Sequence, residues 1–437
     1  MRFYPLYNEF IQNDWLQHDE LLFNQEIQLR KMIHYAYNKV PYYKDIFDNI
    51  GMSPNAIQTV QDLKILPLLT KDLIKTNWEK LKPIGLKNIP HYMCSTGGTT
   101  GTPMIYRNDK YNRLLGRVLL YRGWSKAGFR LCDRCIMLGG ESLIIRKNKE
   151  NINHKIQEIA LNIKKLSSFD MGIKEMKEYF SIINSYKPKF IRGYPSALYF
   201  FSMWIQNNEL NVHYPMAVIT TSEKLYPNMR TIIERVFGCK VFDSYGLHDG
   251  SLGAYECSQH EGLHIDSERS VLEVVDDKGE KLNNGVGRVL ATSLYNYSMP
   301  FIRYDTGDVA EITEDDCTCG RGHRLLKDVV GRTVDIFKTP EGKYVHGWFF
   351  LYIFWDYGKG IKEYQVSQVS ERNIVIKIVP EKNFDYSIVS IIEKIIKDKS
   401  KKWNVEFEYV DEIRRTASGK FKFIINELNN SVNNINL

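Results

Sequence analysis

The chain has 437 residues, of which 43% are hydrophobic and 25% are charged, and its 59 basic and 52 acidic residues leave a formal net charge of +7. This length allows a substantial core and predicts at least two domains, and basic residues spread along the chain argue against a nucleic-acid partner. No apolar window approaches the roughly 18 residues of a membrane span, and the N-terminus lacks the apolar core of a signal peptide. We therefore expect a cytoplasmic protein with no membrane insertion.

The hydrophobic pattern predicts helices near the N-terminus and an alternation of strands and helices after residue 103. An amphipathic helical pattern covers residues 22–37. Apolar runs at 135–138 and 217–220 read as strands, 176–185 reads as a helix, and 364–368 alternates as a strand does. Such alternation is typical of an α/β fold with mixed sheets.

A segment rich in glycine and hydroxyl side chains precedes the strand-like run Met-Ile-Tyr at 104–106. Glycine lets the backbone approach phosphate oxygens, and Ser and Thr hydroxyls donate hydrogen bonds to an anion. The segment lacks the Gly-Lys-Ser/Thr ending of a Walker loop, so we expect a loop between strands that binds the polyphosphate of ATP. A polar turn without a ligand is the alternative. The candidate phosphate-binding residues are Ser95, Thr96, Gly97, Gly98, Thr99, Thr100 and Gly101.

Four further motifs follow this loop along the chain. They are Phe-Asp-Ser-Tyr-Gly-Leu-His-Asp at 242–249, Arg-Tyr-Asp-Thr-Gly-Asp at 303–308, Gly-Arg at 331–332 and Arg-Thr-Ala-Ser-Gly-Lys at 415–420. In this order the five motifs resemble those of the adenylate-forming (AMP-binding) superfamily. The N-terminal and C-terminal segments resemble phenylacetate-CoA ligases and the related enzymes of capsular-polysaccharide biosynthesis. The resemblance implies a large N-terminal ATP- and acyl-binding domain, residues 1–334, and a small mobile α+β domain, residues 335–437.

The resemblance also implies roles for single residues. Tyr245 would stack on adenine, Asp308 would accept hydrogen bonds from both ribose hydroxyls, and Lys420 would be the catalytic cation of adenylation. A solvated surface lysine is the alternative for Lys420. The nucleotide contacts implied beyond the phosphate loop are Ser244, Tyr245, Gly246, Asp308 and Arg332.

Two positions depart from the family pattern. Asp249 stands where the family usually has a glutamate that ligands Mg²⁺, and His248 stands where it usually has a threonine that contacts the α-phosphate. A shorter carboxylate can still hold Mg²⁺, since that ion prefers hard oxygen ligands. Tyr194 and Glu223 lie in stretches that border the acyl pocket of relatives. The alternative is that they pack behind the residues that line the pocket.

Seven cysteines, an odd number, make a disulfide framework improbable. Cys317 and Cys319 place two thiols on a short turn that can hold one face of a tetrahedral Zn²⁺. Resemblance to a zinc-bearing stretch in some phenylacetate-CoA ligase relatives implies that Cys257 and His264 complete the site, with His260 and His323 as alternative ligands. Incidental thiols without metal are the other interpretation. The remaining cysteines, at 94, 132, 135 and 239, read as ordinary core thiols.

The implied function is an ATP- and Mg²⁺-dependent ligase. It would activate a small carboxylic acid as acyl-AMP and release pyrophosphate, then transfer the acyl group to a CoA thiol or an amine, in capsular or other cell-surface polysaccharide biosynthesis. The sequence does not separate CoA from an amine as acceptor. Two alternatives remain open: an adenylyltransferase that places AMP on a hydroxyl, and a non-catalytic nucleotide-binding scaffold.

Overall fold

The computed structural model describes residues 3–95, 104–139, 158–168, 171–332, 336–341, 344–416 and 421–428. These residues divide into two compact units, of which the first reaches Val330 and the second begins at Gly331. The boundary expected between residues 334 and 335 stays a prediction. No helix within the described ranges is long and apolar enough to cross a membrane.

The first helices of this unit precede all of its strands, and the later helices alternate with strands. Proline at the first position of three of them fixes φ without sacrificing an intrahelical hydrogen bond. The predicted helices at 22–37 and 176–185 lie within α2 and α6. The helices are α1 (Phe3–Asn13), α2 (His18–Lys39), α3 (Pro41–Asn49), α4 (Lys71–Thr76), α5 (Lys110–Ser125), α6 (Ile173–Tyr186), α7 (Pro195–Asn207) and α8 (Pro227–Phe237), with 3₁₀ turns at Pro54–Ala56, Val60–Ile65 and Leu86–Asn88.

The strands around α5 to α8 form a two-stranded hairpin and a five-stranded parallel sheet. The hairpin pairs β1 (His91–Ser95) with β2 (Ile105–Asp109) in antiparallel register, so strands flank the predicted phosphate loop. The parallel sheet has the order β4-β3-β5-β6-β7. Strands β3 and β6 are buried at every position, which explains why residues 135–138 and 217–220 read as apolar runs. Its strands are β3 (Cys135–Gly139), β4 (Ile163–Ser167), β5 (Phe190–Gly193), β6 (Ala217–Thr220) and β7 (Lys240–Phe242).

An eight-stranded sheet completes the first unit, in the order β12-β11-β13-β14-β15-β10-β9-β8. Its buried side chains form one core cluster with those of α2 and α3. The strands are β8 (Ser244–Leu247), β9 (Leu252–Glu256), β10 (Leu263–Ile265), β11 (Ser270–Val275), β12 (Lys281–Leu282), β13 (Gly285–Ser293), β14 (Tyr304–Thr313) and β15 (Leu325–Arg332).

Helix α5 carries two glycines seven residues apart, which places them on one face of the helix. A Cβ at Gly116 would overlap the Arg269 guanidinium, and one at Gly123 would overlap the Tyr255 ring. Each interior glycine costs about 1 kcal/mol of helix propensity relative to alanine. The close approach of Arg269 and Tyr255 to this face explains why the helix tolerates that cost.

A network of buried charges joins α5 to the N-terminal segment and to the eight-stranded sheet. The Arg122 guanidinium donates to both Asp266 and Glu268, and Lys126 Nζ lies 2.6 Å from Asp14 Oδ1. Burial alone would raise the pKa of the Asp14 carboxyl, but Lys126, His323 and Arg122 outweigh it and hold that pKa well below its usual range. Cations and carboxylates in this network therefore compensate one another.

The second unit contains a hairpin and a four-stranded sheet of order β20-β19-β18-β21. Its central strands pair antiparallel and its outer strands pair parallel. The predicted strand at 364–368 lies within β18, and the predicted mixture of helices and several sheets is confirmed. The elements are β16 (Ile336–Lys338), β17 (Tyr344–His346), α9 (Trp348–Tyr357), β18 (Ile361–Gln368), β19 (Asn373–Pro380), α10 (Ile388–Lys399), β20 (Asn404–Tyr409) and β21 (Ile424–Asn426).

Candidate nucleotide site and metal centre

Two of the predicted nucleotide contacts lie side by side, although about 60 residues separate them in the chain. Tyr245 in β8 donates its hydroxyl to Asp308 Oδ2 in β14, with a donor–acceptor distance of 2.8 Å. The Asp308 backbone N–H donates to Thr306 Oγ1 at 3.1 Å, so a neighbouring side chain within β14 also contacts this residue. One ring face and one carboxylate are thus presented together, and a carboxylate has acceptor capacity left for a ribose diol.

Asp249 lies close to the same place and is buried, with 6% of its surface exposed. Its Oδ2 accepts a hydrogen bond from the Tyr304 hydroxyl at 2.9 Å. Burial raises the pKa of the Asp249 carboxyl and the negative charge of Asp308 raises it further, while Tyr304 and Lys71 partly offset the rise. A charged carboxylate in these surroundings lacks full compensation, and a divalent cation would supply it.

Tyr304 and Lys71 also contact or approach Asp249, although neither was predicted to belong to the site. Tyr304 lies inside the recognised 303–308 motif, where only Asp308 received a role. Lys71 is brought near Asp249 because Leu69 pairs with the start of β14: the Leu69 N–H donates to Arg303 O at 3.0 Å, and the Asp305 N–H donates to Leu69 O at 2.9 Å. The lysine follows a Leu-Pro-Leu-Leu-Thr run, which alone gives no signal of this long-range pairing.

Arg303, in the same motif, contacts three separate segments of the first unit. Its backbone lies in the left-handed region with φ of 50°. The guanidinium donates to Leu66 O at 3.1 Å and to Gly279 O at 2.8 Å, and Nε lies 3.4 Å from a Glu273 carboxylate oxygen. These contacts fix the segment before Lys71 against the sheet that carries Asp308.

The other predicted nucleotide contacts of β8 occupy different settings. The Ser244 hydroxyl donates to Thr220 O at 2.6 Å, so it joins β8 to the end of β6. A Cβ at Gly246 would meet only Leu252 O, at 3.9 Å, which leaves open space beside Tyr245. His248 is exposed. Their roles toward a nucleotide stay predictions.

The two predicted acyl-pocket residues lie at the carboxyl ends of parallel strands. Tyr194 follows β5 directly and is fully buried. Glu223 follows β6, and its Oε2 accepts a hydrogen bond from the Ser196 N–H at 3.0 Å, at the start of α7. A carboxylate at a helix N-terminus is a structural contact in its own right. A role in acyl binding stays a prediction for both.

Several predicted residues lie outside the described residues. They comprise the catalytic Lys420 and most of the phosphate loop, namely Thr96, Gly97, Gly98, Thr99, Thr100 and Gly101. Ser95 is described and exposed at the end of β1. The backbone of Arg332 ends β15, but its side chain is not among those described.

The four predicted metal ligands come together. One ligand atom from each of Cys257, His264, Cys317 and Cys319 lies within 4.8 Å of all the others. The Cys257 and Cys317 sulfurs are 3.6 Å apart, and Cys319 Sγ is 3.5 Å from His264 Nε2. Tetrahedral zinc with Zn–S bonds of about 2.3 Å implies ligand separations of roughly 3.5–4 Å, so the spacing fits.

The local electrostatics also suit a metal. Burial lowers the pKa of His264 to about 3, helped by the positive charges of Lys126, His323 and Arg321, so its imidazole is neutral and able to coordinate. Burial raises the pKa of Cys257 and Cys317, whereas the Arg321 backbone and guanidinium outweigh burial at Cys319 and lower its pKa. A dication would compensate the thiolates that coordination requires.

Local backbone geometry explains how the cluster forms. Cys257 follows β9, His264 lies in β10, and the two other cysteines lie in the connection from β14 to β15. Gly262 turns the chain between β9 and β10 with φ of +146°, and a Cβ there would approach Leu326 O to 2.7 Å. Only glycine fits here, because the backbone at this position lies so close to β15.

The alternative histidines have other partners. His260 Nδ1 lies 3.2 Å from a Glu256 carboxylate oxygen, and His323 Nδ1 donates to Ile265 O at 2.9 Å. One cysteine prediction is wrong: Cys132 is exposed rather than a core thiol, because it lies in the turn before β3 with φ of 68°. Cys94 and Cys239 are only partly buried, and Cys135 is buried as predicted.

Sequence comparisons agree with the resemblance seen in the motifs. Residues 337–427 match the family model described as the CapK C-terminal domain. The chain is 24% identical to Protein CapK of Staphylococcus aureus over 413 residues, which cover 92% of this chain and 89% of CapK. It is 27% identical to phenylacetate-coenzyme A ligase of Thermus thermophilus over 335 residues, 74% of this chain and 72% of that ligase.

The fold is similar to a solved CoA ligase. A crystal structure of 2-hydroxyisobutyryl-CoA ligase in the postadenylation state, in complex with 2-HIB-AMP, superposes with a TM-score of 0.74 at 16% sequence identity. The match covers 97% of this chain and 93% of that ligase. The predicted fold class, a mixed α/β architecture, is therefore confirmed.

Proposed function

We propose, from the similarity of this chain to Protein CapK and to phenylacetate-coenzyme A ligases, that it is an AMP-forming ligase. It activates a small carboxylic acid with ATP, releases pyrophosphate, and transfers the acyl group from acyl-AMP to an acceptor. The observation that carries this proposal is the meeting of Tyr245, Asp308 and Asp249 from two separate motifs at one place in the first unit.

The described residues supply binding and orientation. The Tyr245 ring offers a face for adenine, and its hydroxyl orients the Asp308 carboxylate that accepts from ribose. Asp249 is the residue that would hold Mg²⁺, because it is a buried carboxylate with a like charge nearby and a hard oxygen ligand. When bound, Mg²⁺ would neutralise charge on the triphosphate.

In the first step the substrate carboxylate attacks the α-phosphorus, the bond to the β-phosphate oxygen breaks, and pyrophosphate leaves. In the second step the acceptor attacks the acyl carbonyl and AMP leaves. We assign the stabilising cation of the first step to Lys420, the phosphate contacts to residues 95–101, and a further nucleotide contact to Arg332. Residues 335–437 would be the mobile domain that withdraws Lys420 between the steps.

The substrate and acceptor form the finer part of the proposal. Tyr194 and Glu223 would border the acyl group, since both follow parallel strands at their carboxyl ends. CoA is favoured as acceptor by the phenylacetate-coenzyme A ligase relatives, and an amine is the alternative, with capsular or other surface polysaccharide synthesis as the setting suggested by CapK. His248 would contact the α-phosphate region.

ATP–pyrophosphate exchange with the full chain, Mg²⁺ and a panel of aryl, amino and hydroxy acids tests this proposal. We expect exchange that depends on one class of acid. Lys420→Ala should lower it by a factor of hundreds or more, because loss of a transition-state charge stabiliser costs a few kcal/mol. Lys401→Ala, an exposed lysine of the same unit, is the matched control and should leave exchange unchanged.

The outcomes separate the alternatives. Covalent transfer of AMP to a hydroxyl, with no acid-dependent exchange, would make the protein an adenylyltransferase. ATP binding without exchange or transfer, together with an unchanged cellular role for Lys420→Ala, would make it a scaffold.

We further propose that Cys257, His264, Cys317 and Cys319 hold one structural Zn²⁺, which joins the β9–β10 turn to the β14–β15 connection. Metal analysis of protein purified without chelator should find about one zinc per chain, and chelation should lower the melting temperature. Cys319→Ser should reduce the zinc content, whereas Cys132→Ser, an exposed thiol elsewhere, should not. Metal-free protein with unchanged stability would contradict the proposal.

A further inference from the structure

Helix α2 and strands of the eight-stranded sheet line a cavity that none of the predicted nucleotide contacts lines. Its volume is about 160 Å³. One wall is apolar and includes Leu21 and Leu22 of α2, Val271 and Leu272 of β11, and Ile312 of β14. A cavity of about this size in an apolar core holds one benzene ring, so the space suits a compact organic group.

The cavity lining also carries positive charge. Lys281 of β12 and Arg324, which precedes β15, both line the cavity. Burial of the ammonium group lowers the pKa of Lys281 and the positive charge of Arg324 lowers it further, while the negative charges of Glu273 and Glu26 only partly offset the fall. Neither forms an ion pair with a carboxylate of the described residues.

The carboxylates whose charges raise the pKa of Lys281 are engaged elsewhere. Glu273 lies against Arg303, and Glu26 Oε1 accepts from the Val60 N–H at 3.2 Å. Both influence the Lys281 charge at a distance without pairing with it. Like charges that are partly desolvated and unpaired are costly, and an anionic ligand would relieve that cost.

Two buried polar atoms of the cavity lining add an independent observation. The Arg324 Nε and the Ser267 Oγ are buried and have no hydrogen-bond partner, although Arg324 Nη2 donates to Asn283 O at 3.2 Å. Buried donors without acceptors are rare, because each costs about 1–3 kcal/mol of desolvation. A ligand oxygen between them would accept both hydrogen bonds.

From this combination we propose that the cavity is a binding site for a small monocarboxylate, distinct from the nucleotide site. The carboxylate lies between Lys281 and Arg324, with Ser267 as a further donor, and an apolar body the size of one ring or a short chain packs on Leu22 and Leu272. Gln25 keeps the cavity walls together, since its Nε2 donates to Ser267 O at 2.9 Å and to Ser270 O at 2.8 Å.

The site is placed to influence the proposed metal centre. Arg324 lies five residues after Cys319 on the same connection, and Ile265, which also lines the cavity, follows His264 directly. His18 Nδ1 donates to Gly322 O at 3.3 Å and so ties α2 to that connection. A ligand that bridges Lys281 and Arg324 would therefore connect β12 to the segment that carries Cys317 and Cys319, to which His18 already ties α2.

Isothermal titration calorimetry of the full chain with benzoate, benzamide and inorganic phosphate tests the proposal. We expect benzoate to bind, and benzamide, which lacks the charge, to bind about tenfold more weakly or worse. Lys281→Gln and Arg324→Gln should each weaken benzoate binding about tenfold or more. Lys278→Gln and Lys327→Gln, exposed lysines of the same two chain segments, are the matched controls and should bind as the wild type does.

The melting temperature measured without ligand shows whether each variant is still folded. Because the two cations repel each other, Lys281→Gln and Arg324→Gln should melt at or above the wild-type temperature in the absence of benzoate. Ser267→Val, which fills space without removing charge, should also weaken benzoate binding. If benzoate also binds the acyl site, that second binding event persists in all three variants. Unchanged benzoate affinity in both charge variants, or phosphate binding without benzoate binding, would overturn the proposal.

Discussion

Two clusters of buried charge among the described residues of the first unit are built in opposite ways. Around Arg122, cations and carboxylates pair within the protein: the guanidinium contacts Asp266 and Glu268, and Lys126 contacts Asp14. Around Asp249, two carboxylates lie near each other, and each accepts a hydrogen bond from a tyrosine hydroxyl. Paired charge indicates a structural role, whereas uncompensated charge indicates where a ligand or ion belongs.

The paired cluster gives the largest expected effect. Arg122→Met should destabilise the protein by about 3–5 kcal/mol, because it leaves Asp266 and Glu268 buried without their cation. Denaturant unfolding measures the difference. Lys240→Met removes one side of an exposed pair with Glu234 and should cost less than about 1 kcal/mol. Equal effects of the two changes would remove the distinction between paired and uncompensated clusters.

The next largest effect concerns the hydrogen bond that the Tyr304 hydroxyl donates to Asp249. Tyr304→Phe should destabilise the protein by about 1–2 kcal/mol at neutral pH, since it leaves a buried carboxylate without the hydroxyl that donates to it. The same change in an Asp249→Asn background should cost less, because an amide oxygen is less demanding than a charge. A double-mutant cycle measures the coupling, and additive effects would show that the two side chains do not depend on each other.

The sequence predicted residues of the Asp249 cluster but missed the Arg122 cluster, because short motifs contain only local information. Asp308, Tyr245 and the four cysteine and histidine residues were found because each lies in a short motif or on a short turn. Lys71 and the Arg122 network were missed because their partners lie far away in the chain: Lys71 depends on the pairing of Leu69 with β14, and Arg122 meets carboxylates about 145 residues later.

The fold shows the same limit. Strand β6 was predicted at its observed bounds because a buried parallel strand is an unbroken apolar run. The eight-stranded order, with β10 between β15 and β9, was not predicted, since strand order depends on long-range register that local pattern does not contain. Cys132 was misjudged for a related reason: residue type suggested burial, but the turn before β3 exposes it.

The smallest expected effect is a gain of stability. Burial raises the pKa of Asp249, so the folded state binds its proton more tightly than the unfolded state does. Stability then falls as pH rises from the ordinary aspartate range, near 4, through that raised value. Asp249→Asn should therefore stabilise the ligand-free protein by about 1 kcal/mol at neutral pH and by nothing at pH 3, where both side chains are neutral. Thermal unfolding at the two pH values measures this, while pyrophosphate exchange should fall because an amide binds Mg²⁺ poorly. A stability gain that persists at pH 3 would mean that packing, rather than uncompensated charge, distinguishes Asp249 from the Arg122 cluster.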